Sequence, residues 1–498
     1  MSQPKTFIPA LLGVVAILLA GCGSGPGLAD SAPPHGSRPA LAVHHSASYH
    51  LAWTRQLDNN ADSAATIDPS VKLAIGKTVT VAYVLAGNND DDCNPSNPVH
   101  AATTYAYTIS GELLWQRSTS GLGRCTTSAP AFSGSWVYSP GLDGKVHRYN
   151  AATGAEWKKN GWPKPFTKQT YVEKASAAVR IYGPYLHVAT SGFTGDQGHY
   201  DGHVVTINLK TNKVAVWNSL CSNIKALIND SPGTPDYCTY EQAGMFGRGQ
   251  AVSDPLNGDI YVVTGNGPWN GTTNWGDSVL KLNPQGTKLV DAFTPINQAY
   301  LNDNDLDLGS TAPAILPPVV DAGKTWHLLT QGGKGGDLSS SGPAVIWLVN
   351  RDRMGSAAGP GHPGGQLGDI SSPGGTEVLT APAVWVNPQK KPIVIYANDS
   401  GVTAYDVNTS GATPKLAVLW TFNGRTTSPV IAGNTLYLGM DGQLGTFNPA
   451  NGQPIWSSND TGSGGTIGSL HWEYPAVYGK WVLMTDENAK LYAYELSS

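Results

Sequence analysis

One sentence of residues recurs seven or eight times along this chain. Its clearest copy runs from Asp143-Gly144, through the alternating stretch Lys145 to Tyr149, to Thr153-Gly154 and Trp157. A second runs from Asp441-Gly442 through Phe447 to Asn451-Gly452 and Trp456. Asp-Gly closes one turn, a strand follows, Thr-Gly or Asn-Gly closes a second, and the next strand ends on Trp. Two hairpin turns a strand apart, repeated along the chain, describe four-stranded antiparallel blades. The expected fold class is therefore all-β, an eight-bladed β-propeller.

The blade count rests on a second signal. Thr127-Ser128-Ala129-Pro130, Thr311-Ala312-Pro313, Thr380-Ala381-Pro382, Thr427-Ser428-Pro429 and Tyr474-Pro475 each open a repeat. Ala175 to Ala178 and Gly249 to Val252 open the two that lack Pro. An innermost strand is a free edge beside a crowded axis, which tolerates Pro and favours small residues. The blades are expected near 77–120, 125–162, 173–220, 248–295, 309–356, 376–424 and 425–460. The last stretch, 471–498, holds only three strands. The fourth is expected at the other end, in His50 to Leu57, whose Trp53 matches Trp115, Trp157, Trp217, Trp420 and Trp456. The two ends then close the ring together. These Trp residues are read as packing between blades.

Residues 1–21 read as a signal peptide: Lys5, then an apolar run from Phe7 to Ala20 that is short for a span. Leu19-Ala20-Gly21-Cys22 resembles a bacterial lipobox, which implies cleavage before Cys22 and acylation of its thiol. Residues 22–46 read as a flexible tether whose ends lie roughly 25–30 Å apart on average. The propeller is assigned to 47–498. The expected location is extracytoplasmic, on a membrane through the Cys22 lipid. Four cysteines remain, and an even number in an exported chain suggests two disulfides. The favoured pairs are Cys93–Cys125 and Cys221–Cys238. A net charge of -5 supplies no basic field, so nucleic acid is not an expected partner.

Propeller geometry places a site before any kinship is invoked. Residues leading into the innermost strands converge on one mouth of the channel: Arg124, Glu173, Lys174, Arg248, Asp303, Asp305, Asp307, Glu377, Arg425 and His471. Turns between second and third strands share that face and carry Asp143, Asn266, Asn398, Asp399, Asp441, Asp486 and Glu487. The longest inserts, the Cys221–Cys238 loop and Gly267 to Trp275, are expected there too. A protein partner or small anionic ligand is expected at this mouth. If extended, Asp303, Asp305 and Asp307 would aim three carboxylates one way and could bind calcium; a solvated acidic loop is the other reading. Gly332 to Gly336 lacks the Ser/Thr and helix of a phosphate loop and is read as a blade turn.

Across 48–498 the repeats resemble those of pyrroloquinoline quinone (PQQ) propellers, the quinoprotein alcohol dehydrogenase-like superfamily. One branch comprises PQQ- and calcium-dependent alcohol dehydrogenases. Another is the non-enzymatic lipoprotein of the bacterial outer-membrane β-barrel assembly machinery. Thr264-Gly265-Asn266-Gly267-Pro268-Trp269-Asn270 is similar to the dehydrogenases' calcium-binding stretch, which implies Asn266 as a calcium ligand. Asp305, about forty residues on, is the best match to their catalytic base and a candidate calcium ligand, with Asp307 second. The chain then departs from the pattern. It has no adjacent cysteine pair, Arg248 falls where their stacking Trp is expected, and Asp196-Gln197 stands where a calcium-binding Glu would. Arg248, Asn266, Arg425 and His471 remain as candidate cofactor contacts, since guanidinium can stack on a planar anion. The leading expectation is a non-catalytic binding or scaffold protein of the cell envelope; the alternative is a PQQ- and calcium-dependent alcohol or polyol dehydrogenase.

Overall fold

The computed structural model describes residues 48–497, except 75, 90–92, 94–97, 194–195, 322, 337–341 and 360. The signal peptide, Cys22 and the whole tether lie outside the described residues. Eight antiparallel sheets follow one another around the ring. The first has strands Thr66–Lys72, Thr78–Ala86, Ala102–Thr108 and Leu113–Thr119 from the axis outward. The last pairs Ala476–Tyr478, Trp481–Thr485 and Lys490–Leu496 with Tyr49–Gln56. Tyr49 lies opposite Leu496 and Gln56 opposite Lys490, so the chain ends close the ring as the split repeat predicts.

Burial explains the sequence pattern of each blade. Middle strands are covered on both faces by neighbouring blades, so Ile260–Val263 and Pro392–Ala397 are buried throughout. Outer strands such as Lys415–Asn423 face water along most of their length. The hydroxyls of the blade-opening motif point across to the next blade. Thr127 Oγ1 donates to the carbonyl of Ser176 (2.8 Å), Ser128 Oγ to Ala177 (2.6 Å) and Thr311 Oγ1 to Thr380 (2.5 Å). These bonds satisfy carbonyls that the free inner edges leave unpaired.

Outer-strand tryptophans fasten one blade to the next. Trp53 Nε1 donates to Ile109 O (3.0 Å), Trp115 Nε1 to Ala151 O (2.9 Å) and Trp420 Nε1 to Pro449 O (2.9 Å). Each indole lies under the turn glycine of the following blade. A Cβ added at Gly111, Gly154 or Gly452 would come within 2.7–2.8 Å of Trp53, Trp115 or Trp420 respectively. Arg55 and Arg117, two residues past their Trp, donate through Nε to Gly111 O and Gly154 O, both at 2.8 Å. The Trp residues therefore pack between blades, as expected.

Both expected disulfides are present, Cys93–Cys125 and Cys221–Cys238. Three expectations need correction. The first blade begins at Thr66, not near 77. Its inner strand carries Asp68-Pro69 and a register shift between Asp68 and Val71, which hide the alternation. The fifth blade extends past 356 to an outer strand at Gln366–Ser371. In the second, Trp157 follows an isolated bridge between Tyr149 and Glu156, and the outer strand itself is Lys164–Pro165. Among the described residues no helix is long and apolar enough to cross a membrane.

The Trp–Gly fit predicts unequal costs for two glycines that share left-handed φ, +66° at Gly154 and +58° at Gly134. Gly134→Ala meets no atom within 4 Å and should cost only the backbone penalty, about 1–2 kcal/mol. Gly154→Ala adds a collision with the Trp115 ring and should be clearly worse. Urea unfolding midpoints of the two variants decide it, and equal midpoints would refute the fit.

Candidate functional site

A pocket of about 220 Å³ opens at the mouth where the inner strands begin. Three cations, Lys174, Arg248 and Lys334, line it against three carboxylates, Asp196, Asp305 and Asp307. Phe193, Phe246, Leu379 and Trp472 supply apolar wall. Charged side chains of both signs over an aromatic floor suit a small polar ligand. The volume falls below the roughly 300–1,000 Å³ usual for sites of drug-sized molecules.

The acidic side is built by one irregular segment. A short helix, Gln298–Asp303, ends in a loop where Asp305 adopts φ 56°. Asp305 projects outward with its side chain 75% exposed, whereas Asp307 is buried. The segment is not extended, so the three-carboxylate alignment fails. Asp303 stays exposed at the helix end while Asp305 and Asp307 line the pocket. Asn266 sits buried beneath them. Its backbone N–H donates to Asp307 Oδ1 (2.8 Å) and its side-chain amide to Asp305 Oδ1 (2.7 Å). Arg248 and Asp305 line the pocket, and Asn266 reaches it only through its hydrogen bond to Asp305. The two long inserts meet behind Asn266: Cys221 N–H donates to Asn274 Oδ1 (2.9 Å), and Ala243 N–H to Asn266 O (2.6 Å).

Lys334 comes from the glycine-rich turn. Its ammonium lies 2.7 Å from Asp307 Oδ2 and 3.8 Å from Asp305 Oδ2. Burial alone would lower its pKa, but the Asp307 carboxylate outweighs that and raises it. Asp196, from the insert before Gly202, is pushed up to about 6 by burial and then by Asp307 and Asp305, against the hydrogen bond from Tyr200. Lys334 and Trp472 belong to the pocket although neither period nor motif marks them as ligands, and Asp196 joins them from the position where the resemblance would put a calcium-binding Glu. The signal that could have found them is positional: each enters from a turn or lead-in segment on the mouth face.

Arg248 is 7% exposed, so it is a wall and not a free platform. Its guanidinium lies 4.9 Å from the Trp472 ring centroid and 3.9 Å from Asp62 Oδ2. Arg425 and His471 do not join this pocket. They line a separate hollow of about 70 Å³ that shares Leu379 and Trp472 with it. Arg425 there pairs with Asp399 (3.1 Å) and Asp441 (3.6 Å).

Much of the remaining mouth chemistry is structural. Asp143 binds His147 (3.1 Å) and Lys145 (3.3 Å). Asn398 donates to Pro373 O (2.9 Å), and Asp486 accepts from the N–H groups of Gly468, Asn488 and Lys490 and from the Tyr492 hydroxyl. Glu173 is buried, accepting from Thr167 Oγ1 and from Asp201 N–H (3.2 Å). Beside it, fully buried Asp201 is pushed up to about 9, chiefly by burial and then by Glu173.

Asp201 gives a testable sign. Unfolded, its carboxyl ionises near 3.8; folded, near 9. The folded state holds the proton over that window, so this group makes stability fall as pH rises through it. Asp201→Asn should remove that slope and match or exceed the wild type in urea stability at pH 8. A variant that loses stability equally at pH 5 and pH 8 would contradict the assignment.

No family model matches the sequence, and no curated protein matches it. Solved structures do. The chain is similar to quinohemoprotein alcohol dehydrogenase ADHIIG from Pseudomonas putida HK5, at 14% identity and TM-score 0.55, over 91% of this chain and 77% of that one. It is similar to the quinohemoprotein alcohol dehydrogenase from Comamonas testosteroni, at 15% and 0.56, over 90% and 76%. A europium-containing methanol dehydrogenase gives 14% and 0.57, over 90% and 93%. At such identities the likeness establishes a shared fold alone.

Proposed function

We propose that this protein is a non-catalytic binding propeller of the cell envelope that takes a small anionic ligand in the Arg248–Lys334 pocket. The observation that carries the reading is the Lys334 ammonium, 2.7 Å from Asp307 and 3.8 Å from Asp305. The two carboxylates that a quinone site would use as catalytic base or calcium ligand already pair with a cation of the protein's own. Among the described residues Asn266 Oδ1 is buried without a hydrogen-bond partner and would suit a metal, while the Asn266 amide N–H donates to Asp305. The donor set therefore does not fit a resident calcium, and no oxidation step through a calcium-bound quinone is derived. Ligand charge would be met by Arg248, Lys174 and Lys334, with an apolar face against Phe246 and Trp472.

The dehydrogenase is the second reading. The shared fold and the Asn266–Asp305 contact at 2.7 Å favour it. The two separate by assay. Purified protein with PQQ and excess calcium should show no dye-linked alcohol oxidation above that of Asp305→Ala. Turnover present in the wild type and abolished in Asp305→Ala would sink the binding reading.

The envelope location rests on the two disulfides, which fit an oxidising compartment, and on the segment ending at Cys22. We read Cys22 as acylated and residues 22–46 as the tether that holds the propeller off the bilayer. Cys22→Ala should shift the protein from the membrane to the soluble fraction. An unchanged distribution would refute the anchor.

A further inference from the structure

Ring closure gathers a second acidic group, away from Asp305 and Asp307. Asp62 lies between the outermost strand of the last blade and the innermost strand of the first. Glu473 leads into Ala476–Tyr478, and Glu487 occupies the turn before Lys490–Leu496. One oxygen from each of the three carboxylates lies within 4.8 Å of the others. Amide donors fix all three: Asn88 Nδ2 to Asp62 Oδ2 (2.6 Å), Asn60 Nδ2 to Glu487 Oε2 (3.0 Å) and His471 N–H to Glu473 Oε2 (2.7 Å). A separate observation concerns Glu473 itself. It is fully buried against Glu487 and Asp62, and its Oε1 has no hydrogen-bond partner among the described residues.

We propose that Asp62, Glu473 and Glu487 bind a divalent, oxygen-seeking cation, calcium by size, that staples the last blade to the first. The Arg248 guanidinium lies 3.9 Å from Asp62, and Glu473 and Glu487 bring two more carboxyls to the same spot. Burying carboxylates together is costly unless a cation or a proton joins them. Oxygens up to 4.8 Å apart fit around an ion with metal–oxygen distances of about 2.3–2.6 Å, the range of calcium. Magnesium, at about 2.0–2.1 Å in a strict octahedron, suits the set less well. The all-oxygen donors do not select thiophilic metals. The ion joins segments from opposite ends of the chain.

The rival occupant is a proton shared by Glu473 and Glu487. Burial and the adjoining Glu487 and Asp62 carboxyls raise Glu473 well above the usual carboxylate range. The full chain, stripped with EDTA and desalted, would be titrated with CaCl2 by calorimetry and melted with and without the ion. Saturable binding is expected, with a melting temperature raised by about 2–5 °C. Glu473→Gln, which keeps the side chain's shape, should weaken binding at least ~30-fold and abolish the shift; Asp305→Asn should leave both. If Glu473→Gln fails to fold, Glu487→Gln serves in its place. No calcium binding by the wild type, or binding untouched by these changes, overturns the proposal and leaves the site to a proton.

Discussion

Each indole set under the next blade's turn glycine is the contact on which the ring depends. Sheets in a propeller share no backbone ladder with one another, so side-chain contacts fix their spacing and angle, helped by single backbone bonds such as Thr126 N–H to Gly87 O (2.8 Å) and Val179 N–H to Ala129 O (3.0 Å). Trp115 does this with two constraints at once: its Nε1 bonds Ala151 O, and its ring fills the space that a Cβ on Gly154 would need. Trp53 and Trp420 repeat the device with Gly111 and Gly452. Near the axis, the Thr and Ser hydroxyls of the blade-opening motif repeat it with hydrogen bonds in place of apolar fit. Outer contacts at three blade junctions and inner hydroxyl bonds at two others hold loops from distant parts of the chain around a single mouth.

That stiffness explains why the fold was legible in the sequence. Asp143-Gly144, Thr153-Gly154 and Trp157 are local signals, and eight near-copies outvote any single ambiguity. The ring closure was legible because Trp53 completes a repeat that the C-terminus leaves unfinished. The first inner strand was not, since Asp68-Pro69 breaks its alternation and Asp68 spends its carboxylate on Ser70 N–H. The site was legible only in part. Arg248, Asn266 and Asp305 could be placed together by counting along the repeat. The extended reading of Asp303 to Asp307 failed because a short helix and a left-handed turn at Asp305 separate the carboxylates. Lys334 read as turn chemistry; its pairing with Asp307 joins the turn of the fifth blade to the segment that leads into the same blade, a contact no local pattern encodes.

Under the proposed binding role, the pocket differs in kind from a site organised around a metal. Its positive groups are side chains: Lys334 within the acidic corner and Arg248 braced by Trp472 and Asp62. Such a site can bind and orient charge, and it has the rigidity to do so selectively. The fold it shares with quinoprotein dehydrogenases sets where the pocket lies; the residues in it set what the pocket can do.

Calorimetric titration of PQQ, a planar tricarboxylate, in EDTA and again in excess calcium tests this most directly. The account predicts binding of equal strength, within about twofold, in both buffers, retained in Asp305→Ala and weakened at least ~10-fold in Arg248→Ala. Binding that requires calcium and disappears with Asp305 would contradict it.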